Sequence, residues 1–362
     1  MMALILSAAE GGIRKHVFDL LAESSFIKEN CNLLIYPKNQ TDGIFDADER
    51  RRMWSGITIN KKFGMQDIYA VISIIKLLRK NGIRLVHAHG AKAGLYARIA
   101  KMVLWNLQIV YSPHGGSFHA ANQGSMKHLI LGLEKFLAKI TSAFVFESKY
   151  ANMIFSEAMR VDRRKINVIE NCVALQDSPV SESLRAEFQR RRDSGMRIVT
   201  VVGRVREIKG HDMVAKALAH SGENWIVYFV GNADKEFVDA NATLFNHPSI
   251  VMWGDHKDVA SFYRLSDVIV CPSRAESFGY VPLEAYLCGA KIVASNIPAF
   301  RENLGNVPGV CFFEVDDDVD LAHKIQDCLA SKDMPETAPI MGRFSPENFG
   351  EKFDQLYSRL VN

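Results

Sequence analysis

Short apolar runs alternate with longer amphipathic segments along most of the chain. The run MALILSAA comes first and passes through Glu10, Gly11 and Gly12 into the amphipathic segment IRKHVFDLLAES. An apolar run, a glycine turn and a segment with helical periodicity predict a strand, a turn and a helix. The alternation recurs at NLLIYP, at RLVHAHG after IYAVISIIKLLRKNG, and at QIVYSPHGG after AGLYARIAKMVLW. This pattern predicts a parallel sheet with helices on both faces.

The alternation is interrupted between Val173 and Gly195, where the polar stretch AEFQRRRDSG precedes a new apolar run, RIVTVVG. We place the domain boundary there. The second half repeats the pattern, with strands expected at IVTVVG, WIVYFVG, DVIVCPS and KIVAS. The prediction is an α/β chain with two doubly wound domains, residues 1–172 and 173–340. Residues 341–362 hold the amphipathic segment SPENFGEKFDQLYSRL, expected to form a helix that crosses back to the first domain, with a simple C-terminal cap as the alternative.

Composition supports a globular chain large enough for two domains. The 362 residues are 48% hydrophobic and 23% charged, and no apolar run approaches the ~18–20 residues of a membrane-spanning helix. The first residues, MMALILSAAEGG, lack a basic flank and a cleavage pattern, so we expect a cytoplasmic protein. Six cysteines without C-x-x-C spacing indicate reduced, mostly packed thiols, and a zinc site is not expected.

Charge is distributed unevenly along the chain. The formal net charge is +3, but residues 1–180 carry 24 Lys and Arg against 15 Asp and Glu, whereas residues 181–362 carry 20 against 26. A basic first half favours contact with a phosphate-bearing ligand or a lipid surface, and chance segregation of charge is the alternative. The overall charge is too modest for nucleic-acid binding, and no motif for it is present. A dehydrogenase is not expected either, because no G-x-G-x-x-G follows a predicted strand.

Two glutamates lie eight residues apart in the stretch ESFGYVPLE. The strand DVIVCPS brings Glu276 to its carboxyl end, Gly279 indicates a close backbone approach, and Pro282 suits the first turn of a helix. Glu284 is then expected in that first turn, where unpaired backbone N–H groups favour a carboxylate. This helix-capping role alone would also account for Glu284. The same N–H groups, from Phe278 to Val281, would form an anion site.

Further candidates follow other predicted strands. In GRVREIKG, Arg204 and Lys209 lie at a strand end between glycines, where two cations could hold a diphosphate; solvated loop charges are the alternative. In the first half, Gly11-Gly12 forms a strand-to-helix turn with N–H donors, and SPHGG places His114 in another such turn. A lone histidine is more often structural, but this one is expected at the ligand-binding edge of the sheet.

These stretches resemble successive landmarks of the retaining GT-B glycosyltransferases of family 4, of the type that builds bacterial surface polysaccharides. In chain order they are Gly11-Gly12, LVHAHGAKAGLYARIA, PHGG, VIENC, GRVREIKG, DVIVCPSRAESFGYVPLEA and IPAFRE, which together cover nearly the whole chain. The paired glutamates, taken with Arg204 and Lys209, are the specific part. The resemblance implies two Rossmann-like domains facing a central cleft, with the nucleotide-sugar on the second domain and the acceptor mainly on the first.

The resemblance also implies roles for the matching residues. Arg204 and Lys209 would hold the donor diphosphate, helped by N–H groups of Gly12 and of the loop after Phe278. Glu276 would face the transferred sugar, Glu284 would accept hydrogen bonds from the ribose hydroxyls, and His114 would lie near the reacting sugar. The predicted catalytic residues are His114, Arg204, Lys209 and Glu276; the predicted donor-binding residues are Gly11, Gly12, Arg204, Lys209, Glu276, Phe278, Gly279, Tyr280, Val281 and Glu284.

No metal or other cofactor is expected. Departure of a nucleoside diphosphate builds negative charge on phosphate oxygens, which two cations and aligned N–H dipoles stabilise as the bond breaks. The acidic run Asp316-Asp317-Asp318 is expected to cap the helix DLAHKIQDCLA rather than to bind a metal. The resemblance likewise implies metal independence and retention of anomeric configuration. No residue decides between front-face attack and a covalent intermediate.

The predicted activity is transfer of a hexose or N-acetylhexosamine from a UDP- or GDP-sugar to a glycan or lipid-linked acceptor in polysaccharide or lipopolysaccharide biosynthesis. A nucleotide-sugar epimerase of the same architecture is one alternative, although no catalytic acids for it can be identified in the first half. A non-catalytic nucleotide-sugar-binding protein is another. The joint presence of His114, Arg204, Lys209, Glu276 and Glu284 argues against a non-catalytic protein.

Basic residues of the first half also suggest where the acceptor is found. They are Arg50-Arg51-Arg52, Lys61-Lys62, Arg79-Lys80 and those of the segment SMKHLILGLEKFLAKI. They favour an anionic membrane surface or a lipid diphosphate acceptor, with solvated faces and an ordinary packed helix as the alternative. A peripheral position on the inner face of the cell membrane is therefore a further hypothesis.

Overall fold

The computed structural model describes residues 1–9, 11–40, 54–60, 63–115, 127–159, 161–174, 179–222 and 224–361. It divides into two compact units, Met1–Cys172 together with Phe344–Asn362, and Val173–Arg343. Glu10, the arginines 50–52 and the lysines 61–62 lie outside the described residues. No helix in the described ranges is long and apolar enough to cross a membrane.

The first domain is built on a parallel sheet. Its strands are β1 (Met2–Leu6), β2 (Cys31–Pro37), β3 (Trp54–Ile57), β4 (Leu85–His89), β5 (Gln108–Ser112), β6 (Ala143–Phe146) and β7 (Ile166–Val168). They lie in the order β3-β2-β1-β4-β5-β6-β7, and every described pairing is parallel. The central strands β1 and β4 are buried along their whole length, as expected for a sheet with helices on both faces.

The second domain repeats this plan. Its strands are β8 (Arg197–Val202), β9 (Trp225–Val230), β10 (Ile250–Gly254), β11 (Val268–Cys271), β12 (Ile292–Ser295) and β13 (Val310–Phe313). The strand order is β10-β9-β8-β11-β12-β13. From β8 the chain first adds β9 and β10 on one side, and it then returns to add β11, β12 and β13 on the other side of β8. Ligands of such sheets bind beyond the carboxyl ends of the strands at this reversal. The predicted strands of both halves are confirmed.

Helices cover the faces of both sheets. Those of the first domain are α1 (Gly11–Glu23), α2 (Ser25–Asn30), α3 (Met65–Lys80), α4 (Ala91–Val103), α5 (Lys127–Ile140) and α6 (Lys149–Ala158). The second domain has α7 (Glu182–Asp193), α8 (His211–Ala217), α9 (Lys235–Ala240), α10 (Ala242–Phe245), α11 (Val259–Leu265), α12 (Tyr280–Leu287), α13 (Pro298–Leu304), α14 (Asp318–Ala330) and α15 (Thr337–Arg343), and α16 (Pro346–Val361) ends the chain. The polar stretch before β8 lies in α7. One side of this helix packs into an apolar cluster of the second domain through Leu184 and Phe188.

The terminal helix α16 returns to the first domain, as predicted. Its Phe349, Phe353 and Tyr357 are buried in the same apolar cluster as Leu20 of α1. Asp354 accepts hydrogen bonds from the backbone N–H groups at the start of α2, 3.1 Å from each nitrogen. The amphipathic pattern of the last residues therefore reflects burial against α1 and α2 rather than a cap on the second domain.

Candidate active site

Two loops of the second domain meet at the carboxyl ends of neighbouring strands. One follows β8 and runs from Gly203 to Gly210, and the other follows β11 and starts at Pro272. Because β8 and β11 pair directly, their carboxyl ends lie side by side. Gly210 has a left-handed backbone (φ 68°), and a Cβ there would lie 2.0 Å from the carbonyl oxygen of Pro272. Only glycine allows this approach without displacement.

Lys209 and Glu276 come into direct contact where these loops meet. The Lys209 ammonium donates to Oε1 of Glu276, and the Ser273 hydroxyl donates to the same oxygen at 3.0 Å. The two charged side chains are 25% and 20% exposed. Both keep contact with solvent, so an incoming anionic ligand could exchange places with the carboxylate on the lysine. Sequence reasoning predicted both residues for the site but did not foresee that they pair.

Arg274 ties the two loops together and was not selected from the sequence. Its guanidinium forms a two-pronged pair with Asp212, at 2.8 and 2.9 Å, and also bonds Asp316 at 2.8 Å and the backbone carbonyl of Glu207. Burial favours a raised pKa for the Asp212 carboxyl, but the hydrogen bonds and charge of Arg274 hold that pKa below its ordinary value. A planar donor of this kind fixes loop geometry. Its position two residues before Glu276 is the signal that could have identified it.

The start of α12 differs from the sequence prediction. The helix begins at Tyr280 with Gly279 as its N-cap, so Pro282 is its third residue. Glu284 is therefore its fifth residue, and the prediction that it lies in the first turn is wrong. The helix can begin early because Gly279 adopts a left-handed backbone with φ 87°. Glycine is also needed there because a Cβ would lie 2.4 Å from the ring of Phe300. The backbone N–H groups at Tyr280 and Val281 are thereby left at the helix start, as an anion site requires.

One carboxylate oxygen of Glu284 contacts a buried tyrosine of the same domain. Oε2 accepts a hydrogen bond from the hydroxyl of Tyr263 at 3.3 Å. Burial, with the nearby carboxylate of Glu284, raises the pKa of Tyr263 well above its ordinary value, so the tyrosine stays a donor. This bond fixes the orientation of the Glu284 carboxylate. The side chain is partly exposed.

The other residues predicted for the second domain differ in their exposure to solvent. Arg204 is exposed beside β8, and Phe278 is buried, with its carbonyl accepting from the Asn303 amide at 2.7 Å. The acidic run begins α14 as expected: Asp317 is the N-cap and accepts from the backbone N–H of Asp320 at 2.8 Å. Asp318 pairs with His220 at 3.0 Å, and Asp316 bonds Arg274, so each acid of the run has a protein partner.

In the first domain, the predicted glycine turn lies where β1 leads into α1. Gly11 and Gly12 are the first two residues of α1 and both are exposed, and Gly11 has φ 61°. A helix start with small exposed residues gives a ligand direct access to backbone N–H groups. His114 follows β5, and it has a left-handed backbone (φ 50°), which is uncommon for a residue other than glycine.

His114 belongs to a group of histidines at the carboxyl edge of the first sheet. Nε2 of His114 lies 3.1 Å from Nδ1 of His89, and its ring centroid lies 4.9 Å from that of His16. Nδ1 of His114 is 4.0 Å from Oε2 of the buried Glu147. His87 completes the group, bonded to Tyr357 of α16 and to a serine hydroxyl at 2.7 and 2.8 Å.

These imidazoles are held neutral. Burial lowers the pKa of His114 to about 4 and, together with the proximity of His114, that of His16 to about 3. Burial also lowers the pKa of His87 and of His89 well below the ordinary value. Only His114 was predicted from the sequence. The signal for the others was the H-A-H spacing of LVHAHG, because alternate residues of a strand share one face.

Two parallel-sheet domains and a loop site at the strand ends of the second define a class of protein, and comparisons with known proteins agree with this class. The chain is a glycosyltransferase with the GT-B fold. Residues 11–177 match the family model described as Glycosyltransferase Family 4, and residues 183–342 match the model described as Glycosyl transferases group 1. Together these models span most of both domains, and the chain belongs to these glycosyltransferases.

Curated relatives and solved structures are more distant. The chain is 25% identical over 305 residues to an uncharacterized 41.2 kDa protein in the cps region of Klebsiella pneumoniae, covering 82% of this chain and 81% of that protein. It is 28% identical over 247 residues to an Escherichia coli UDP-Gal:alpha-D-GlcNAc-diphosphoundecaprenol alpha-1,3-galactosyltransferase, covering 64% and 63%. The crystal structure of Anabaena HepE in complex with UDP-glucose is 18% identical and superposes with TM-score 0.82 over 99% and 100% of the two chains, which shows the shared fold.

Proposed function

We propose that the protein is a retaining hexosyl- or N-acetylhexosaminyltransferase that uses a UDP- or GDP-sugar. The observation that carries the proposal is the contact between Lys209 and Glu276 at the paired ends of β8 and β11, next to the start of α12. A cation, a carboxylate and the backbone N–H groups of a helix start in one loop site suit a ligand that carries both phosphates and sugar hydroxyls. The known relatives support the class, because several are named as sugar transferases.

The roles we propose follow from chemistry. Lys209 and Arg204 stabilise the diphosphate as it gains charge on leaving, together with the N–H groups at the start of α12. Glu276 accepts hydrogen bonds from hydroxyls of the transferred sugar once the diphosphate has drawn Lys209 away. Glu284, oriented by Tyr263, accepts from the ribose. These groups stabilise departing phosphate charge by themselves, so we propose a reaction that needs no metal.

In the first domain we propose that the N–H groups of Gly11 and Gly12 contribute to donor binding and that His114 faces the reacting sugar. The left-handed backbone of His114 supports this role, because such conformations concentrate at functional sites. The histidine would act as a neutral hydrogen-bonding group. The acceptor we propose is a glycan or a lipid-linked glycan of a surface polysaccharide or lipopolysaccharide pathway, as the names of relatives suggest.

A direct experiment is a donor screen followed by product analysis. Purified protein is mixed with UDP, GDP, ADP and their sugars, and unfolding is followed by thermal shift. A true donor nucleotide should stabilise the protein by about 2.7 kcal/mol at a hundredfold excess over its Kd. Proton NMR of the glycoside formed from that donor would then report the anomeric configuration. Inversion would contradict the retaining mechanism, and stabilisation by none of these nucleotides would contradict the donor class.

We also propose that α3 lies on an anionic membrane surface. Met65, Ile68, Tyr69 and Ile72 are between 44% and 71% exposed and recur at helical spacing along one face. The opposite face of α3 is buried in the domain core, through Ala70, Ile74 and Leu78.

The exposed face of α3 changes from apolar to basic along the helix. Lys76, Arg79 and Lys80 continue the same stripe and are all exposed. Two of these, Arg79 and Lys80, were among the basic residues singled out in the sequence. The apolar part of this stripe would contact the acyl boundary of a membrane, and the basic part would contact anionic head groups. A lipid-linked acceptor would be found at such a surface.

A further inference from the structure

Three histidines of the first domain bring ring nitrogens close together. They are His16 on α1, His89 at the end of β4 and His114 after β5, and one nitrogen from each lies within 4.8 Å of the other two. We propose that this histidine cluster binds a transition-metal ion of the Zn²⁺ type and that the bound ion inhibits the enzyme. The binding site goes beyond the proposed function, whereas the inhibition rests on it.

The tautomer of His16 leaves a lone pair for a metal. Its Nδ1 lies 2.6 Å from the amide oxygen of Asn171, which can only accept, so Nδ1 carries the hydrogen. Nε2 of the neutral ring therefore has the lone pair. This atom is buried and has no hydrogen-bond partner among the described residues. An orienting hydrogen bond on the other ring nitrogen is the usual arrangement around a metal-binding histidine.

His89 presents a similar nitrogen. Its Nδ1 is engaged with Nε2 of His114, 3.1 Å away, whereas its Nε2 is buried and without a hydrogen-bond partner in the described part of the chain. Buried polar atoms are normally satisfied, and each exception requires an explanation. Two such nitrogens, on neighbouring rings whose centroids are 5.2 Å apart, point to a common ligand.

The cluster has the composition of a three-histidine metal site. Three imidazoles and a water molecule make a common tetrahedral set for Zn²⁺, with metal–nitrogen bonds near 2.0 Å and ligand nitrogens therefore roughly 3.4 Å apart. Closing the present separations to this value requires His114 to exchange its hydrogen bond with His89 for the metal. Imidazole selects zinc, cobalt, nickel or copper over magnesium and calcium.

The surroundings suit a cation. Glu147 is buried, its Oε1 has no hydrogen-bond partner within the described ranges, and its Oε2 lies 4.0 Å from Nδ1 of His114. Its carboxylate therefore lies beside the third ring of the cluster. The His114 side chain is 7% exposed, whereas His16 and His89 are fully buried, so an ion would have to enter past His114. Since His114 is the group proposed to face the sugar, a metal on its Nε2 would remove it from that role.

Cobalt(II) is the probe for the test, because its visible spectrum reports coordination. We expect the wild-type protein to bind one Co²⁺ per chain with the bands of a four-coordinate site, to lose them on addition of Zn²⁺, and to gain thermal stability with metal. His16→Gln and His89→Gln should abolish the bands. Asn171→Ala should weaken binding by about 10- to 100-fold, whereas Asn171→Asp, which keeps an acceptor for Nδ1, should retain it.

His323→Asn is the control, because His323 is an exposed histidine of the second domain. This variant should bind Co²⁺ as the wild type does. Absence of a stoichiometric Co²⁺ spectrum in folded wild-type protein would overturn the proposal, as would a spectrum that His16→Gln and His89→Gln leave unchanged in chains with wild-type circular dichroism. Metal binding is measured without substrate, so an inactive protein that still binds Co²⁺ would refute the proposed function and not the site.

Discussion

Lys209 and Glu276 are 67 residues apart in sequence, yet the lysine ammonium donates directly to the carboxylate in the second domain. The contact exists because β8 and β11 are neighbours and Gly210 lets their loops approach closely. A donor diphosphate would compete for the lysine. The pair therefore holds both side chains together at the site proposed for the donor.

Lys209→Ala and Glu276→Ala should each lower kcat by roughly two to three orders of magnitude, the range for loss of one preorganised electrostatic group. Stability should change by about 1 kcal/mol or less, since both side chains keep contact with solvent. Arg206→Ala is the matched control, because Arg206 is an exposed cation of the same loop with no proposed role. Steady-state transfer assays and thermal unfolding check both statements. Full activity of the two site variants would contradict the assignment.

Gly210→Ala should destabilise the second domain and weaken donor binding. The left-handed backbone costs a residue with a Cβ about 1–2 kcal/mol, and overlap with the Pro272 carbonyl adds to this. Gly195→Ala separates the two effects, because Gly195 also has a left-handed backbone (φ 78°) but no atom within 4 Å of the added Cβ. Denaturant unfolding of both variants gives the comparison. Equal losses would show that the close approach is unimportant.

Arg274→Lys should impair the site although it preserves charge. A lysine cannot form the two-pronged pair with Asp212 while also bonding Asp316 and the Glu207 carbonyl. We expect a loss of roughly 1.5–3 kcal/mol of stability, the range for hydrogen bonds to charged groups, and a higher KM for the donor. Calorimetric titration with the nucleotide identified by the screen measures the binding change. Wild-type affinity would show that the loops keep their positions without this arginine.

Acidification should destabilise the protein through its buried histidines. Burial lowers the pKa of His16 to about 3 and that of His114 to about 4, against about 6.5 in the unfolded chain. Their contribution to stability is therefore complete above about pH 6.5 and is lost as the pH falls. Between pH 7 and pH 5 each should cost about 2 kcal/mol. Urea unfolding at both pH values tests this. His16→Asn should reduce the pH dependence by about that amount, and an unchanged dependence would contradict the burial argument.

Replacing the basic end of the α3 stripe should release the protein from anionic vesicles. Each basic residue near such a surface contributes about 1 kcal/mol, so Lys76→Gln, Arg79→Gln and Lys80→Gln together should lower partitioning roughly a hundredfold. The same three changes at Lys235, Lys257 and Lys332, exposed lysines of the second domain, control for net charge. Co-sedimentation with vesicles containing phosphatidylglycerol is the measurement. Equal loss in both triple variants would mean that charge alone, and not this helix, determines binding.

Local patterning determined most of the fold. Buried parallel strands are almost continuously apolar and their helices are amphipathic, so strands such as β1, β4, β8 and β11 follow from sequence alone. Strand ends also fix which loops carry ligands, and this identified Lys209, Glu276 and His114 as candidates. The resemblance to family 4 then supplied their expected roles.

Only the tertiary structure decided how these residues meet. The pairing of Lys209 with Glu276 and the four hydrogen bonds of Arg274 depend on strand order, which no local pattern encodes. The start of α12 at Tyr280 depends on the packing of Gly279 against Phe300. The histidine cluster likewise joins residues from α1, β4 and the loop after β5. Contacts between residues distant in sequence arise from the order in which strands pack, so the sequence named the chemistry and the fold set its geometry.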